Sequence, residues 1–384
     1  MNRADIYVVG AGLCGAAIAR VLAEGGKKVH IFEQRDHIGG NMYDYVDEHG
    51  ILVHKYGPHT FHTNQKELYD FMERFGEWEP YRLTCGAEIN GKCTPTPFNF
   101  QTVDDFFDGE KAAKIKERFA AAFPGRTTVT VTEALDSSEP EIREYAQFLF
   151  DYDYSLYTAK QWGVSAAEID PSVLKRVPLR LGYEVGYFED TYQVMPKVSY
   201  TTFFETLLDH PNITVELGVD ALTRLTVLPQ SGKIAVDGNE DCLVVYTGPL
   251  DSLLNLKYGQ LPYRSLRFEW HYEEIESKQD MPVVAYPQAE GFTRIVEYKK
   301  LPYQEVRGTT YEVEYPLPYV AGREQEPYYP VLTKESQEQY EQYSKEAAAF
   351  ENLFLCGRLA DFKYYNMDQA LETALATAKK ILEQ

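Results

Sequence analysis

Glycines at positions 10, 12 and 15 set the first constraint on what this chain can fold into. Written Gly10-x-Gly12-x-x-Gly15, they follow a short apolar run, DIYVVG (5–10), and open LCGAAIARVLAEGG (13–26), whose apolar spacing has a helical period and which closes on Gly25 and Gly26. KVHIFEQ (28–34) then reads as a second strand. Strand, glycine turn, helix and strand make a βαβ unit. In such a unit the first glycine forms a tight turn, the second lets the backbone approach a pyrophosphate, and the third lets helix and strand pack closely. The helix N-terminus faces the phosphate charge. Glu33, at the end of the second strand, stands where an acid meets a ribose hydroxyl. RDHIGGN (35–41) adds Gly39 and Gly40 close behind, a pairing typical of FAD enzymes rather than NAD enzymes and equally of an ordinary turn.

The bulk numbers narrow the partners. A chain of 384 residues has room for two or three domains, and a formal charge of −21 argues against a nucleic-acid binder. Any anionic ligand needs a local basic pocket. Cys14, Cys85, Cys93, Cys242 and Cys356 are odd in number and contain no C-x-x-C, which indicates neither a disulfide framework nor a cysteine metal site and fits a reducing cytoplasm. The first apolar run lacks a basic leader and no 18-residue apolar stretch follows, so neither a signal peptide nor a membrane span is expected. Thirty Tyr against three Trp suggest a site built of flat, amphipathic rings with hydroxyl handles, or a Tyr-rich core.

From about Phe98 to Tyr192 the pattern becomes mainly helical, as in EKAAKIKERFAAAF, which reads as an inserted helical domain. One more helix is expected over 200–210, before ITVELG (213–218) and CLVVYTGP (242–249) return the chain to its first domain. Near-alternation over 263–318, as in RSLRFEWHYEE and TTYEVEYPL, predicts an antiparallel sheet. The last stretch reads as a strand, then Gly357-Arg358, then a long helix. That would repeat the anion-binding geometry of the first motif and hold one cofactor from both chain ends.

HKYGPHTFHT (54–63) concentrates His54, His59 and His62, three of eight histidines. A zinc site of the usual helical spacing is blocked by Gly57-Pro58, and no G-x-S-x-G or His-Asp-Ser arrangement appears that would make a hydrolytic triad. A loop lining a cofactor pocket remains, with packing the better reading for His54.

That decapeptide, with YTAKQWG (157–163), KRVPLR (175–180), FTRIVEYK (292–299), EPYYP (326–330) and GRLADFKYYNMDQA (357–370), closely resembles the bacterial UDP-galactopyranose mutases, nearly end to end and in order. The resemblance implies an α/β fold in three parts. They are a discontinuous FAD-binding Rossmann-like domain (1–80, 193–260 and 345–384), a helical substrate-binding domain with a mobile loop (98–192), and an antiparallel sheet domain (81–97 and 261–344). It implies a flavin-dependent isomerase that interconverts UDP-galactopyranose and UDP-galactofuranose without net redox change, with N5 of reduced FAD as nucleophile at the anomeric carbon. NAD(P)H would be the reductant and a cytoplasmic homodimer the assembly.

Carried onto this sequence, Arg176 and Arg294 fall on the two phosphate-binding arginines, whose planar forks suit a diphosphate. Judged singly, each would read as a surface ion-pair partner. Tyr157, Trp162, Tyr187, Tyr329 and Tyr364 fall on the aromatic residues around uracil, sugar and diphosphate, and Trp162 opens the loop expected to move. Gly10, Gly12, Leu13, Gly15, Glu33, Gln34, Gly40, Asn41, His59, Arg358 and Met367 would hold the cofactor, with His59 and His62 along the isoalloxazine and assigned to catalysis beside the two arginines. Many relatives carry Asp where this chain has Asn366; the side chain still hydrogen-bonds substrate but supplies no base. Two other readings share the fingerprint: a redox flavoprotein of the amine-oxidase or desaturase type, and a flavin-free binding protein of the GDP-dissociation-inhibitor type. Paired arginines and many tyrosines suit a nucleotide diphosphate and would be wasted on an amine.

Overall fold

The computed structural model describes residues 5–163, 177–322 and 325–384, without the side chain of Trp162. Its first sheet has five parallel strands in the spatial order Ile213–Leu217, Val29–Glu33, Ile6–Val9, Leu243–Tyr246, Leu353–Leu355. Three separated stretches of chain therefore build one sheet. Both faces are covered, and the period of two sorts side chains between them: Ile6 and Val8 join one buried cluster with the helices Leu13–Glu24 and Met367–Leu382. Tyr7 and Val9 pack against the other, with Tyr343 and Ala347 of the helix Lys334–Ala347. Small residues let the first helix sit close, since Ala16, Ala17 and Ala19 are wholly buried.

A second sheet of seven strands runs in the order Tyr329–Pro330, Tyr263–Glu273, Thr309–Pro318, Arg294–Glu297, Val283–Ala285, Cys85–Ile89, Lys92–Thr96. One joint departs from the antiparallel expectation: Val283–Ala285 and Cys85–Ile89 pair in parallel. The two strands are far apart in sequence, so no hairpin turn imposes opposite directions on them. A third, small sheet sets Phe61–Thr63 and Trp78–Pro80 either side of Tyr192–Pro196 and so anchors the end of the histidine loop.

The helical segment runs from Phe100 to Trp162 around its own core of Phe98, Val103, Ile115, Phe119, Ile142 and Leu149. Side-chain caps start several of its helices, with Asp108 accepting from the Lys111 N–H and Thr130 from the Glu133 N–H. A π-helical turn, Phe150–Tyr154, leads into the helix Ser155–Trp162. Helix does not extend to residue 192 as the pattern suggested. The described residues 177–191 carry only the two-residue strand Leu179–Arg180, among turns that include Pro178, Gly182 and Gly186. The segment expected to be a moving loop, KQWGVSAAEID (160–170), begins inside the helix Ser155–Trp162, and its residues 164–170 lie outside the described residues.

Candidate active site

The glycine turn has the geometry its spacing promised. Gly10 has φ +96°, and a Cβ there would fall 2.3 Å from Thr247 Oγ1; at Gly15 it would fall 1.9 Å from the Gly10 carbonyl oxygen. A Cβ on Gly40 would lie 2.8 Å from Gly12 Cα, so the two glycine segments touch backbone to backbone. The helix that begins at Leu13 has no side-chain cap, which leaves its first N–H groups directed at whatever binds there. Glu33 is buried, with Oε2 accepting from the Ala11 N–H at 2.7 Å and Oε1 from the Arg35 N–H at 2.9 Å. Each oxygen keeps a lone pair for a ribose hydroxyl. Asn41 Oδ1 accepts from Arg35 Nη2 at 2.9 Å, while Gln34 is exposed just outside the turn. An uncapped helix start, backbone bare of Cβ atoms and a buried acid fit the pyrophosphate and ribose of a dinucleotide.

The C-terminal half of the cradle is built differently from the expectation. The final helix starts at Met367, ten residues after Gly357, so Arg358 is not at a helix N-terminus. Turns occupy the gap, with Phe362 at φ +48°, and Asn366 is an exposed N-cap whose N–H donates to Gln369 Oε1 at 3.0 Å. Arg358 instead donates to the carbonyls of Tyr328 at 3.1 Å and Tyr365 at 2.6 Å and lies 5.2 Å over the Tyr364 ring. Gly357, at φ +105°, packs against Cys14 and Thr247, which brings the chain's two ends together beside the first glycine.

Arg294 starts a central strand of the second sheet. Its Nε and Nη2 donate to Glu314 Oε2 at 2.8 and 2.6 Å, across the register that sets the two residues opposite one another. Tyr157 and Tyr329 lie within its electrostatic reach; burial pushes both phenols above their ordinary range, and Arg294 opposes the shift in each. Tyr187 adds to the surroundings of Tyr157, and the rings of Tyr329 and Tyr364 stand 6.0 Å apart in a cluster with Tyr56, Tyr328 and Phe268. Arg176 lies outside the described residues, as does the side chain of Trp162.

His59 belongs to this cluster. Its Nδ1 lies 2.8 Å from the Gly57 carbonyl oxygen, which can only accept, so Nδ1 carries the proton and Nε2 presents a lone pair. Burial, helped by the charges of Arg358 and Arg294, pushes the ring down to about 4. His54 is wholly buried and its Nδ1 accepts the His59 backbone N–H at 3.0 Å, a supporting role for the turn. His62 goes elsewhere: Nδ1 lies 2.9 Å from Asp190 Oδ2 and the ring stacks on Phe188 with centroids 3.6 Å apart. Through Phe188, whose ring meets that of Tyr187, His62 borders the tyrosines around Arg294 without a recorded contact to Arg294 itself among the described residues.

Sequence reasoning missed Glu314 and Glu312, which face the site from one strand. Their signal was the alternation in TTYEVEYPL, two acids on one face of an otherwise apolar strand. It also missed Lys160, whose Nζ donates to the carbonyls of Tyr286, Ala289 and Phe292 at 2.6, 2.9 and 2.7 Å and ties the helix Ser155–Trp162 to the loop before Arg294.

A family model described as UDP-galactopyranose mutase matches residues 154–364, and one described as an NAD(P)-binding Rossmann-like domain matches residues 8–75. The chain is 35% identical to a UDP-galactopyranose mutase of Mycoplasma pneumoniae, over 100% of this chain and 97% of that one. It is 33% identical to a dTDP-fucopyranose mutase of Escherichia coli, over 99% and 98%. A crystal structure of reduced UDP-galactopyranose mutase superposes with a TM-score of 0.73 over 99% of this chain and 96% of the other, at 14% identity, a likeness of fold.

Proposed function

The chain belongs to the UDP-galactopyranose mutase family, and from that membership we propose that it interconverts UDP-galactopyranose and UDP-galactofuranose, using FAD in its reduced state. The reaction is an isomerisation in which no electrons are gained or lost overall. When bound, reduced FAD supplies an electron-rich N5 to the anomeric carbon of the sugar. The protein's share is binding, orientation and charge.

On this reading Gly10, Gly12, Leu13, Gly15 and Gly40 cradle the pyrophosphate of FAD and Glu33 takes its ribose, with Asn41, Arg358 and Met367 closing the cofactor site. Arg294 grips the substrate diphosphate as UDP departs, together with Arg176. Glu314 occupies two donors of Arg294 on one edge and leaves Nη1 for a phosphate oxygen. Tyr157 and Tyr329 keep their protons through burial and serve as hydrogen-bond donors to phosphate or sugar oxygens, beside Tyr187 and Tyr364. His59 Nε2 accepts a hydrogen bond from cofactor or sugar. Residues 1–80, 193–260 and 345–384 form the FAD unit, 98–192 the helical unit, and 81–97 with 261–344 the sheet unit.

The observation that carries the proposal is the convergence of Arg294, Arg358, His59, Tyr157 and Tyr329 in a chain whose net charge is −21. A local positive site in so acidic a protein calls for a specific anion. The test incubates UDP-galactofuranose with protein reduced by dithionite or NAD(P)H and follows UDP-galactopyranose by chromatography. Product should form with reduced protein and not with oxidised; no product in either state, or equal turnover in both, overturns the proposal. The E. coli relative at 33% identity makes dTDP-fucopyranose the second substrate to run in parallel, and the ratio of the two kcat/KM values assigns the sugar nucleotide.

A further inference from the structure

Glu312 and Glu314 project from the same face of the strand Thr309–Pro318, because they are two residues apart. Their partners differ. Glu314 stands opposite Arg294 and is paired to it, whereas Glu312 stands opposite Val296 on one side and Trp270 on the other. Glu312 is wholly buried, and neither oxygen of its carboxyl has a hydrogen-bond partner among the described residues. The titratable and charged groups that face it are Glu314 on its own strand, Arg294 and Tyr298 from the neighbouring segment, Tyr45 from the strand Asp44–Val46, and Tyr328 from the stretch before Tyr329. Arg294 is committed to Glu314. The Tyr298 hydroxyl lies against Glu312, but its proton is donated to the His54 carbonyl oxygen at 3.0 Å.

A carboxylate anion in this enclosure would be stripped of water, would compete with the His54 carbonyl for the Tyr298 proton, and would stand beside a second anion. A carboxyl that keeps its proton escapes all three costs, since it can donate to the open lone pairs of Tyr298 Oη. Burial, with the charge of Glu314 added, accordingly holds Glu312 well above the usual carboxyl range.

We propose that Glu312 is a positioning residue of the site that works as an uncharged acid. It holds the Tyr298 hydroxyl and leaves Arg294 facing a single carboxylate, so that this arginine retains the charge a nucleotide diphosphate needs. Through Tyr298 it also steadies His54, whose ring supports the His59 backbone. The inference deepens the proposed function and rests on it for the identity of the anion.

The test compares FAD-loaded wild type, Glu312→Gln and Glu312→Ala. Glu312→Ala is expected to lower kcat/KM by about tenfold or more, and Glu312→Gln, neutral at every pH, to restore most of that loss. KM for UDP-galactofuranose should rise as pH rises through the folded value of Glu312 in the wild type, with kcat changing little, and stay flat in Glu312→Gln. A substrate-free arm follows melting temperature. The folded value is raised, so the stability Glu312 confers is fully present below its unfolded value, about 4.3, and is lost as pH rises through the folded value. The melting temperature of wild type minus that of Glu312→Gln should therefore fall as pH rises. Isotope-edited infrared spectra at neutral pH should also contain a protonated-carboxyl band that Glu312→Gln lacks. A melting gap independent of pH, or absence of the band, overturns the uncharged acid. A gap that tracks pH beside a KM that does not overturns the link to the diphosphate, and with it the role given to Arg294.

Discussion

Arg294→Ala separates what this arginine does for the fold from what it does for the reaction. Glu314 is only 3% exposed and the Arg294 side chain 27%, so the variant leaves a buried carboxylate without its cation, two residues from a second buried acid. Breaking a buried pair by removing one partner costs about 3–5 kcal/mol, most of it from the charge left behind. At the low end of the usual ~2–4 °C per kcal/mol, suited to a long chain, that is a fall in melting temperature of about 6–10 °C. Removing a charge-stabilising donor from the reaction lowers kcat by about 10²–10³, on the order of 3–4 kcal/mol. Adding Glu314→Gln removes the stranded charge, so the double variant should regain most of the lost melting temperature and none of the activity. Thermal melts of flavin-loaded protein and kcat/KM for UDP-galactofuranose measure both. The reasoning fails if Arg294→Ala melts like the wild type, or if the double variant recovers turnover.

The acid limb of stability should depend on His59. Its folded value of about 4 lies below the ordinary 6.5, so its stabilising contribution is present above about 6.5 and lost as pH falls through about 4. His59→Asn should flatten melting curves in that window by up to about 1.4 kcal/mol per pH unit, and an unchanged limb would remove the histidine from the account. Gly40→Ala should destabilise the fold, since its Cβ would lie 2.8 Å from Gly12 Cα at φ +57°. Gly12→Ala meets Gly40 Cα at 3.6 Å, ordinary contact, so it should fold yet lose flavin; full flavin absorbance per protein in Gly12→Ala would refute the cradle. Lys160→Met should raise amide exchange across 286–293 while leaving the helix Pro140–Leu149 protected, because three carbonyls lose their shared donor. Equal exchange in both proteins would refute that.

Local chemistry made the first site legible from sequence. The glycine turn, the helix and Glu33 fall within 33 residues, and each glycine answers to a contact inside that span or one strand away. The second site depended on register. Nothing near Arg294 in sequence announces Glu314, which lies 20 residues on and is placed opposite by the pairing of two strands. The parallel joint between Val283–Ala285 and Cys85–Ile89 was hidden for the same reason. Arg358 was misplaced although a signal was present: Asn366, followed three residues later by Gln369, marks a helix start, and reading it would have separated the strand's end from the helix by a turn.

That turn has a consequence for how the two sites are joined. Because the helix is delayed to Met367, the Arg358 guanidinium can reach back to the carbonyl of Tyr328 and lie over Tyr364, instead of facing the start of a helix that would repel it. Tyr328 precedes Tyr329, whose strand is paired to Tyr263–Glu273 at the edge of the second sheet. Arg35, one turn beyond Glu33, reaches the same stretch through Glu326 at 2.9 Å. Residues 326–329 are thus tied from one side to the glycine turn and from the other to the segment after Gly357, while Tyr329 lies within electrostatic reach of Arg294. A shift of either glycine segment would be carried to the anion site through two guanidinium contacts rather than through loop backbone. On the proposed reading, Arg35 and Arg358 link the glycine cradle to the stretch whose Tyr329 lies within reach of Arg294.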